Sequence, residues 1–307
     1  MDRPRFFFIV HRRFSRPGAD AQRHVEGMNM PKLLIVAALL FAFAVAEATA
    51  VEVKLSDPVP GHPDVTVLEL MRQVVTDLEI DADGYAKGTA MTPLRPVAAD
   101  EGGERPAVIE IYDPQIVPLR VAGRPLTLLY SVLGHSSDSV AEVVLLALYD
   151  EQLRLIDAVD VGLYENNWLG DVLPIGAGDD LIRLNSEHFN SSQGYDATQL
   201  VFVRDNRFAL IDEIYYFSVK GGSYEELQSL AITSVPGGPG YWPVTAAIHA
   251  TRSVEALQQE EAEASEPLEP PYDRTFTQVY GWSASIGGYV ADSDAFARLN
   301  AENEAKY

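Results

Sequence analysis

Short apolar runs separated by polar turns follow one another after residue 106, a pattern typical of consecutive β-strands. Two stretches, 145–159 and 200–214, align without a gap at an offset of 55 residues. Each contains an apolar run, a polar turn with Asp, and a second run in which apolar and polar residues alternate. Asp and Asn tolerate turn backbone, and alternation with period two buries one face of a strand. Each copy is therefore predicted to be a β-hairpin.

Further strands extend this pattern on both sides. Strands at 126–133 and 181–185 precede the two copies, and a degenerate third copy is predicted over 230–250. Closing strands are predicted at 274–282 and 288–290. The predicted fold class is therefore mainly β: an antiparallel meander built from internal repeats, which forms a sandwich or a small propeller-like domain.

Two segments have helical periodicity instead. Apolar residues spaced by three or four positions predict an amphipathic N-terminal helix over 65–78. A short C-terminal helix is predicted over 293–300, with Ser293 as its N-cap.

Composition divides the chain into five segments. They are a mis-assigned or disordered leader at 1–29, a signal peptide at 30–50, a small α+β segment at 51–105, a β-repeat domain at 106–292, and a C-terminal helix and tail at 293–307. Within the β-repeat domain, the acidic stretch 255–271 contains six glutamates and three prolines. Such a composition cannot bury a core, so this insert is predicted to be mobile.

The segment 30–50 has the pattern of a secretory signal peptide. One lysine precedes 13 uninterrupted apolar residues, and Ala48 and Ala50 place small residues at a cleavage-like site. Because a run of 13 residues is too short to span a bilayer, no stable membrane insertion is expected. The protein is therefore expected to be exported, to the periplasm or the extracellular space. Since signal n-regions are short, translation is expected to begin at Met28 or Met30.

The net charge limits the classes of partner. The full chain carries −22, and residues 1–50 contain seven basic and four acidic side chains, so cleavage after Ala50 would leave −25. This charge repels phosphate backbones, and no nucleic-acid partner is expected. The chain has no cysteine, so stability must come from an apolar core rather than from disulfide bonds.

Four aspartates of the repeats are the candidate catalytic groups: Asp150, Asp157, Asp160 and Asp212. Paired carboxylates cleave glycosidic bonds by acid/base chemistry. These residues lie at predicted turns and strand ends, where Asp is also favoured for backbone reasons. No phosphate loop, zinc-protease motif or nucleophile elbow is present, and neither a metal nor a cofactor is expected.

The candidate ligand-binding groups are three aromatic residues next to Gly, Asn or Pro, Trp168, Tyr195 and Trp242, and His188 at the start of a polar, serine-containing loop. If their loops share one end of the sheet, they form an aromatic, acidic rim that can stack on sugars or hold a peptide. The alternative is that these rings cover the ends of the β core.

The strand pairs with Asp-containing turns over 126–216 resemble the repeats of FG-GAP or VCBS-type β-propellers. Those repeats carry an Asp-x-Asp-x-Asp-Gly calcium loop in each blade, which the repeats of this chain lack. The resemblance implies a propeller-like arrangement and assigns no residue a role. The sequence as a whole favours a non-catalytic binding or envelope-associated protein with a protein or glycan partner. A secreted glycan hydrolase is the alternative.

Overall fold

The computed structural model describes residues 50–82, 85–99, 106, 108–136, 141–190, 193–220, 224–254 and 270–305. Outside these residues lie the segment 1–29 and the predicted signal peptide, of which only Ala50 is described. The predicted acidic insert also lies outside them, apart from its last two prolines. Within the described ranges, no helix has the length and apolar character needed to cross a membrane.

The described chain contains nineteen strands and two helices. In chain order they are β1 (Val51–Glu52), β2 (Pro58–Val59), β3 (His62–Thr66), α1 (Val67–Met71), β4 (Glu79–Ile80), β5 (Ala86–Gly88), β6 (Arg95–Pro96), β7 (Ile109–Glu110), β8 (Tyr112–Val121), β9 (Arg124–His135), β10 (Glu142–Tyr149), β11 (Leu155–Asp160), β12 (Asn167–Pro174), β13 (Asp180–Asn190), β14 (Gln193–Arg204), β15 (Arg207–Lys220), β16 (Tyr224–Ser234), β17 (Val244–Val254), β18 (Tyr272–Ser283), β19 (Gly288–Ala291) and α2 (Ala295–Glu304). The prediction of a mainly β fold with antiparallel sheets is confirmed.

Two large sheets carry most of the strands. The first sheet has the order β1-β8-β9-β10-β11-β6, and all its neighbours are antiparallel except β11 and β6. The second sheet is a meander of eight antiparallel strands, β12 to β19, in chain order. The strands β2 and β3, and the strands β4, β5 and β7, form two small sheets.

The two large sheets pack face to face. Leu128 and Leu146 of the first sheet and Ile182 and Val201 of the second belong to one cluster of buried side chains, here called the first core. Burying one face of each sheet against the other removes both apolar surfaces from water. The arrangement is a packed sandwich rather than a ring of radial blades.

The other face of the first sheet is covered by residues of the segment 51–105. Leu70 and Met71 of α1 pack against Leu145 and Tyr149 of β10 in a second core. The hydroxyl group of Tyr149 donates a hydrogen bond to the carbonyl oxygen of Leu70 (2.9 Å). Because β10 is covered on both faces, every residue from 143 to 149 is buried.

The second sheet folds over itself. The strands β15 and β16 pair only between 218–220 and 225–227, so they separate beyond that short ladder. The strands β16 to β18 then cover the face of β13 to β15 that points away from the first sheet, and Leu200 and Phe202 meet Ile248 and Tyr280 there in a third core. Phe296 and Leu299 place α2 in the same core.

The two aligned sequence segments form the hairpins β10–β11 and β14–β15, but with different registers. Leu145 pairs with Asp160, whereas its aligned counterpart Leu200 pairs with Asp212. The second turn is the two-residue pair Asp205–Asn206, in which both φ angles are positive, and the first turn is longer. The hairpins lie where they were predicted, and their equivalence as repeats stays a prediction.

Both helices differ in extent from the predicted spans. The helix predicted over 65–78 is limited to the five residues of α1, because the chain then turns and the Asp77 carboxylate accepts the backbone N–H of Thr89. The C-terminal helix has Asp294 rather than Ser293 at its N-cap position and extends to Glu304.

Candidate binding site

The central strands β13, β14 and β15 change from apolar to polar along their length. Leu181, Leu200 and Phe202 lie at the apolar end, in the third core. At the other end of these strands, Asp196 pairs with Tyr216 across one interstrand ladder and with Glu187 across the other. Polar side chains within a packed β structure require partners or a ligand. This end is therefore the candidate functional part of the fold.

A pocket of about 510 Å³ opens at the polar end, beside the point where β15 separates from β16. We call it the tyrosine pocket. Its lining residues are Tyr164, Tyr195, Asp196, Tyr215, Tyr216, Phe217, Asn300, Asn303 and Glu304.

Side chains bridge the gap between the two separating strands. The backbone N–H of Phe217 donates to Oε1 of Gln228 (3.2 Å), which lies on β16. Nε2 of Gln228 in turn donates to Oδ1 of Asn303 on α2 (2.9 Å). Gln228 is buried, so these bonds are made away from solvent. They replace the missing strand pairing and attach α2 to the rim of the pocket.

Aromatic rings form one wall of the pocket. The ring centroids of Tyr195 and Phe217 lie 6.3 Å apart, and those of Tyr164 and Tyr215 are separated by the same distance. His188 connects the two pairs, with its ring 6.2 Å from Tyr164 and 6.3 Å from Tyr195. Such spacing is that of interacting aromatic pairs. The rings thus form a continuous apolar surface.

The hydroxyl groups of two of these tyrosines are held by residues of their own strands. The Tyr195 hydroxyl donates to Oε1 of Gln193 (2.7 Å), and the Tyr215 hydroxyl donates to the Glu213 carboxylate. A ring whose polar end is fixed loses less conformational entropy when a ligand packs against it. The wall is therefore arranged in advance of binding.

Asp196 is an acidic group of the pocket lining, on the opposite face of β14 from Tyr195. Burial, together with the neighbouring charge of Glu187, raises the pKa of its carboxyl group from 3.8 to about 6. No residue in the described part of the chain donates a hydrogen bond to it. Among the described residues that line the pocket, none is Lys, Arg or His. The carboxylate is consequently available to a ligand.

Two of the predicted catalytic aspartates hold the backbone of the first sheet. The Asp150 carboxylate accepts the backbone N–H of Arg154 (2.9 Å) and pairs with its guanidinium group. Asp160 accepts the backbone N–H groups of Val144 and Gly162, both at 2.9 Å. These are the local bonds for which Asp is favoured in turns and at strand ends.

The other two predicted catalytic aspartates connect separate strands. Oδ2 of Asp157 accepts from the Arg95 guanidinium group and from the backbone N–H of Phe208, both at 2.8 Å. The Asp212 carboxylate accepts from the hydroxyl group of Tyr280 (2.5 Å). Neither these two nor the previous two line the tyrosine pocket. A catalytic role for the four aspartates stays a prediction.

The structure brings together two of the four predicted ligand-binding rings, Tyr195 and His188. Trp168 lies on β12, 40 % exposed, in an open groove of about 920 Å³ that also contains Glu187. Trp242 lies at the opposite end of the second sheet, where its backbone N–H donates to the Ile175 carbonyl oxygen and its indole N–H donates to the carbonyl oxygen of Gly238. The four rings therefore do not form one rim.

Sequence reasoning missed Asp196, Tyr216 and Asn303. One signal was available: residues 215–217 are three consecutive aromatic side chains, and β alternation presents them on both faces of a strand. The position of Asn303 gave no signal, because α2 reaches the pocket only through the tertiary fold.

Comparisons of this chain with protein-family models, with curated proteins and with solved structures find no match. The site geometry therefore carries the functional argument.

Proposed function

We propose that this chain is a non-catalytic binding protein and that the tyrosine pocket is its ligand site. The observation that carries the proposal is Asp196, a partly buried carboxyl group that receives no hydrogen bond from the described residues and lines the pocket on the same face of the sheet as Tyr216. Burying a carboxylate without a partner is costly. A ligand that donates to Asp196 would offset that cost.

The size and the lining of the pocket support ligand binding rather than catalysis. Its volume of about 510 Å³ lies within the range of about 300–1,000 Å³ for small-molecule sites. The lining combines a large aromatic surface with a few polar groups, which is the usual composition of such sites. Its two carboxylates, Asp196 and Glu304, are on different elements.

Export to the periplasm or the extracellular space belongs to the same proposal. It rests on the signal-like pattern at 30–50 alone. The equivalence of the two hairpins as internal repeats is likewise proposed from their aligned sequences. Glycan hydrolysis is the alternative proposal, and it requires two of the four candidate aspartates to exchange their present hydrogen bonds for a substrate.

The binding proposal is tested by ligand-dependent thermal stability. The purified protein is heated with carbohydrates, short peptides, amines, carboxylic acids and aromatic heterocycles. A ligand that binds only the folded protein raises Tm. We expect compounds of at least one class to raise Tm for the wild type and for the Tyr85→Ala variant, whose ring is 60 % exposed outside the pocket. The same compounds are expected to have no effect on the Tyr216→Ala variant, which lacks the ring that lines the pocket on the same face of the sheet as Asp196.

Two results would contradict the proposal. One is that compounds of all five classes leave Tm of the wild type unchanged. The other is that every active compound stabilises the Tyr216→Ala variant as much as the Tyr85→Ala variant, which would place the binding elsewhere on the protein.

A further inference from the structure

The lining of the tyrosine pocket comes from both faces of the second sheet. Successive side chains of a strand point to opposite faces, so Tyr215 and Phe217 lie on one face of β15 and Tyr216 lies on the other. The register places Tyr195 on the face of Phe217 and Asp196 on the face of Tyr216. A pocket lined from both faces of a strand lies along the edge of that strand. The tyrosine pocket therefore opens at the edge of β15 that points away from β14.

Among the described strands, none pairs with this edge beside the pocket. From 207 to 217, β15 pairs with β14 alone, because its ladder with β16 is limited to 218–220. The backbone N–H of Phe217 points away from β14, since it donates to the Gln228 side chain on β16. The direction of the backbone groups alternates along an antiparallel strand. The N–H and the carbonyl group of Tyr215 therefore also point away from β14, toward the pocket.

Tyr215 differs from its neighbours along this edge. The outward N–H of Glu213 is held by the Asp212 carboxylate (2.8 Å), and that of Phe217 is held by Gln228. Within the described part of the chain, no hydrogen bond crosses this edge from the backbone of Tyr215. An unpaired N–H and carbonyl group at a strand edge can pair with a further strand.

The two faces of the sheet determine which side chains an added strand would carry, because its side chains alternate between them. One face presents the rings of Tyr164, Tyr195 and Phe217, which favour apolar side chains. The other face carries Asp196, and Glu304 lies on the same side because α2 packs in the third core. The described lining has no basic residue to offset these two carboxylates, so this face favours Lys or Arg.

We infer that the tyrosine pocket binds an extended segment of another protein, which adds to the edge of β15 as an antiparallel strand. One apolar residue of that segment lies opposite Tyr215 and exchanges two backbone hydrogen bonds with it, and the basic residues on either side point toward Asp196 and Glu304. This inference rests on the proposed function, since it names the ligand class of the same site.

The test is isothermal titration calorimetry of the purified protein with matched peptides. The parent peptide has five residues that alternate leucine and lysine, beginning with leucine, and both its ends are blocked. Residues that lie opposite each other in an antiparallel pair share a face, so a leucine N–H bonds to Tyr215 and the lysine N–H groups point away from it. We expect N-methylation of the leucines to weaken binding by about tenfold or more and N-methylation of the lysines to leave it nearly unchanged.

Charge and location are tested with the same method. A peptide that alternates leucine and glutamate is expected to bind at least about tenfold more weakly than the parent peptide. We expect Asp196→Asn to weaken binding of the parent peptide by about threefold or more and Asp205→Asn, at an exposed hairpin turn, to leave it unchanged. The parent peptide is also expected to slow amide hydrogen exchange at Tyr215 in the wild type, a measurement that depends on no variant.

The outcomes separate this inference from the function on which it rests. Equal affinities of the two methylated peptides, or unchanged exchange at Tyr215 in the presence of bound peptide, would overturn strand addition and leave the binding function standing. Failure of every peptide to bind would also overturn it, whereas the binding function is judged by heating with all five compound classes. A dimer of the wild type that the parent peptide dissociates, as shown by light scattering, would make a second copy of the chain the occupant and overturn the inference.

Discussion

Asp196 shows how its surroundings change the chemistry of one carboxyl group. Its pKa rises to about 6 because the fold removes water from it and places Glu187 opposite. Tyr216 and Arg183 are the other ionisable groups in electrostatic contact with this cluster. The folded protein therefore keeps the proton in a pH range where the unfolded chain has lost it.

This difference predicts a pH-dependent effect of the Asp196→Asn variant on stability. As the pH rises from about 4 to about 6, the wild type loses stability because its unfolded state ionises first. The variant has no such loss, so we expect its free energy of unfolding to exceed that of the wild type by on the order of 1 kcal/mol at about pH 7.5. This difference in the free energy of unfolding between the variant and the wild type is expected to be largely absent at about pH 4. Urea unfolding at both pH values measures it.

The Asp205→Asn variant is the control for this experiment, because its carboxylate is largely exposed at a turn. Its stability relative to the wild type is expected to be the same at both pH values. An Asp196→Asn variant that is less stable than the wild type at the higher pH would show that the carboxylate makes favourable interactions there.

At the scale of elements, the gap between β15 and β16 creates the pocket. Strand pairing ends at 218 on β15, and Gln228 then serves as the hydrogen-bond partner of the exposed strand edge. One glutamine side chain thus joins β15, β16 and α2. A buried side chain with such bonds on two sides is costly to remove.

We therefore expect the Gln228→Ala variant to lose about 1–3 kcal/mol of stability, because the Phe217 N–H and the Asn303 side chain lose a buried partner. The adjacent variant Leu227→Ala is the control, since Leu227 is 47 % exposed on the same strand. Its loss is expected to be about 0.5 kcal/mol or less. Urea unfolding gives the free energies, and faster amide hydrogen exchange at Phe217 in Gln228→Ala identifies the site of the change.

The strands were predictable from sequence because their signals are local. Alternation and the Asp-containing turns identified both hairpins, and the fully apolar run 143–149 is apolar because β10 has a core on each face. The registers were not predictable in the same way. The aligned residues Leu145 and Leu200 have different partners, since the turn and a bulge set the register of each hairpin separately.

At the scale of the whole molecule, Asp157 joins the two large sheets. It lies on β11 of the first sheet, and it accepts the backbone N–H of Phe208 on β15 of the second sheet. The Arg95 guanidinium group supports it and donates to the carbonyl oxygen of Phe208 as well. Asp157 and Arg95 are mostly buried, so the bonds between them are shielded from water.

We expect the Asp157→Asn variant to lose about 2–3 kcal/mol of stability, because the charge-assisted bonds between the sheets are weakened. The control is Asp171→Asn, whose side chain is 71 % exposed and pairs with Arg183 at the surface. Its loss is expected to be below about 1 kcal/mol. Equal losses in urea unfolding would contradict a structural role for Asp157 and strengthen its candidacy as a catalytic group.

The tyrosine pocket itself could not be predicted from the sequence. Tyr164, Asp196 and Tyr216 are on a loop and on two strands, and Asn303 is on a helix far along the chain. They line one pocket only because the second sheet folds over and α2 packs against the gap. The sequence could propose Tyr195 as an aromatic ligand-binding residue, but it contained no information on which groups surround it.

The neighbour order of the strands also bears on how fast the protein can fold. In the second sheet every strand pairs with the next strand in the chain, whereas Val51 of the first sheet pairs with Ile116 and Arg95 pairs with Val159. Contacts between residues close in sequence form faster, because less chain entropy is lost before they are made. The hairpins of the second sheet are thus kinetically favoured to form early. The edge strands of the first sheet pair with residues distant in sequence, so they are expected to join the sheet late.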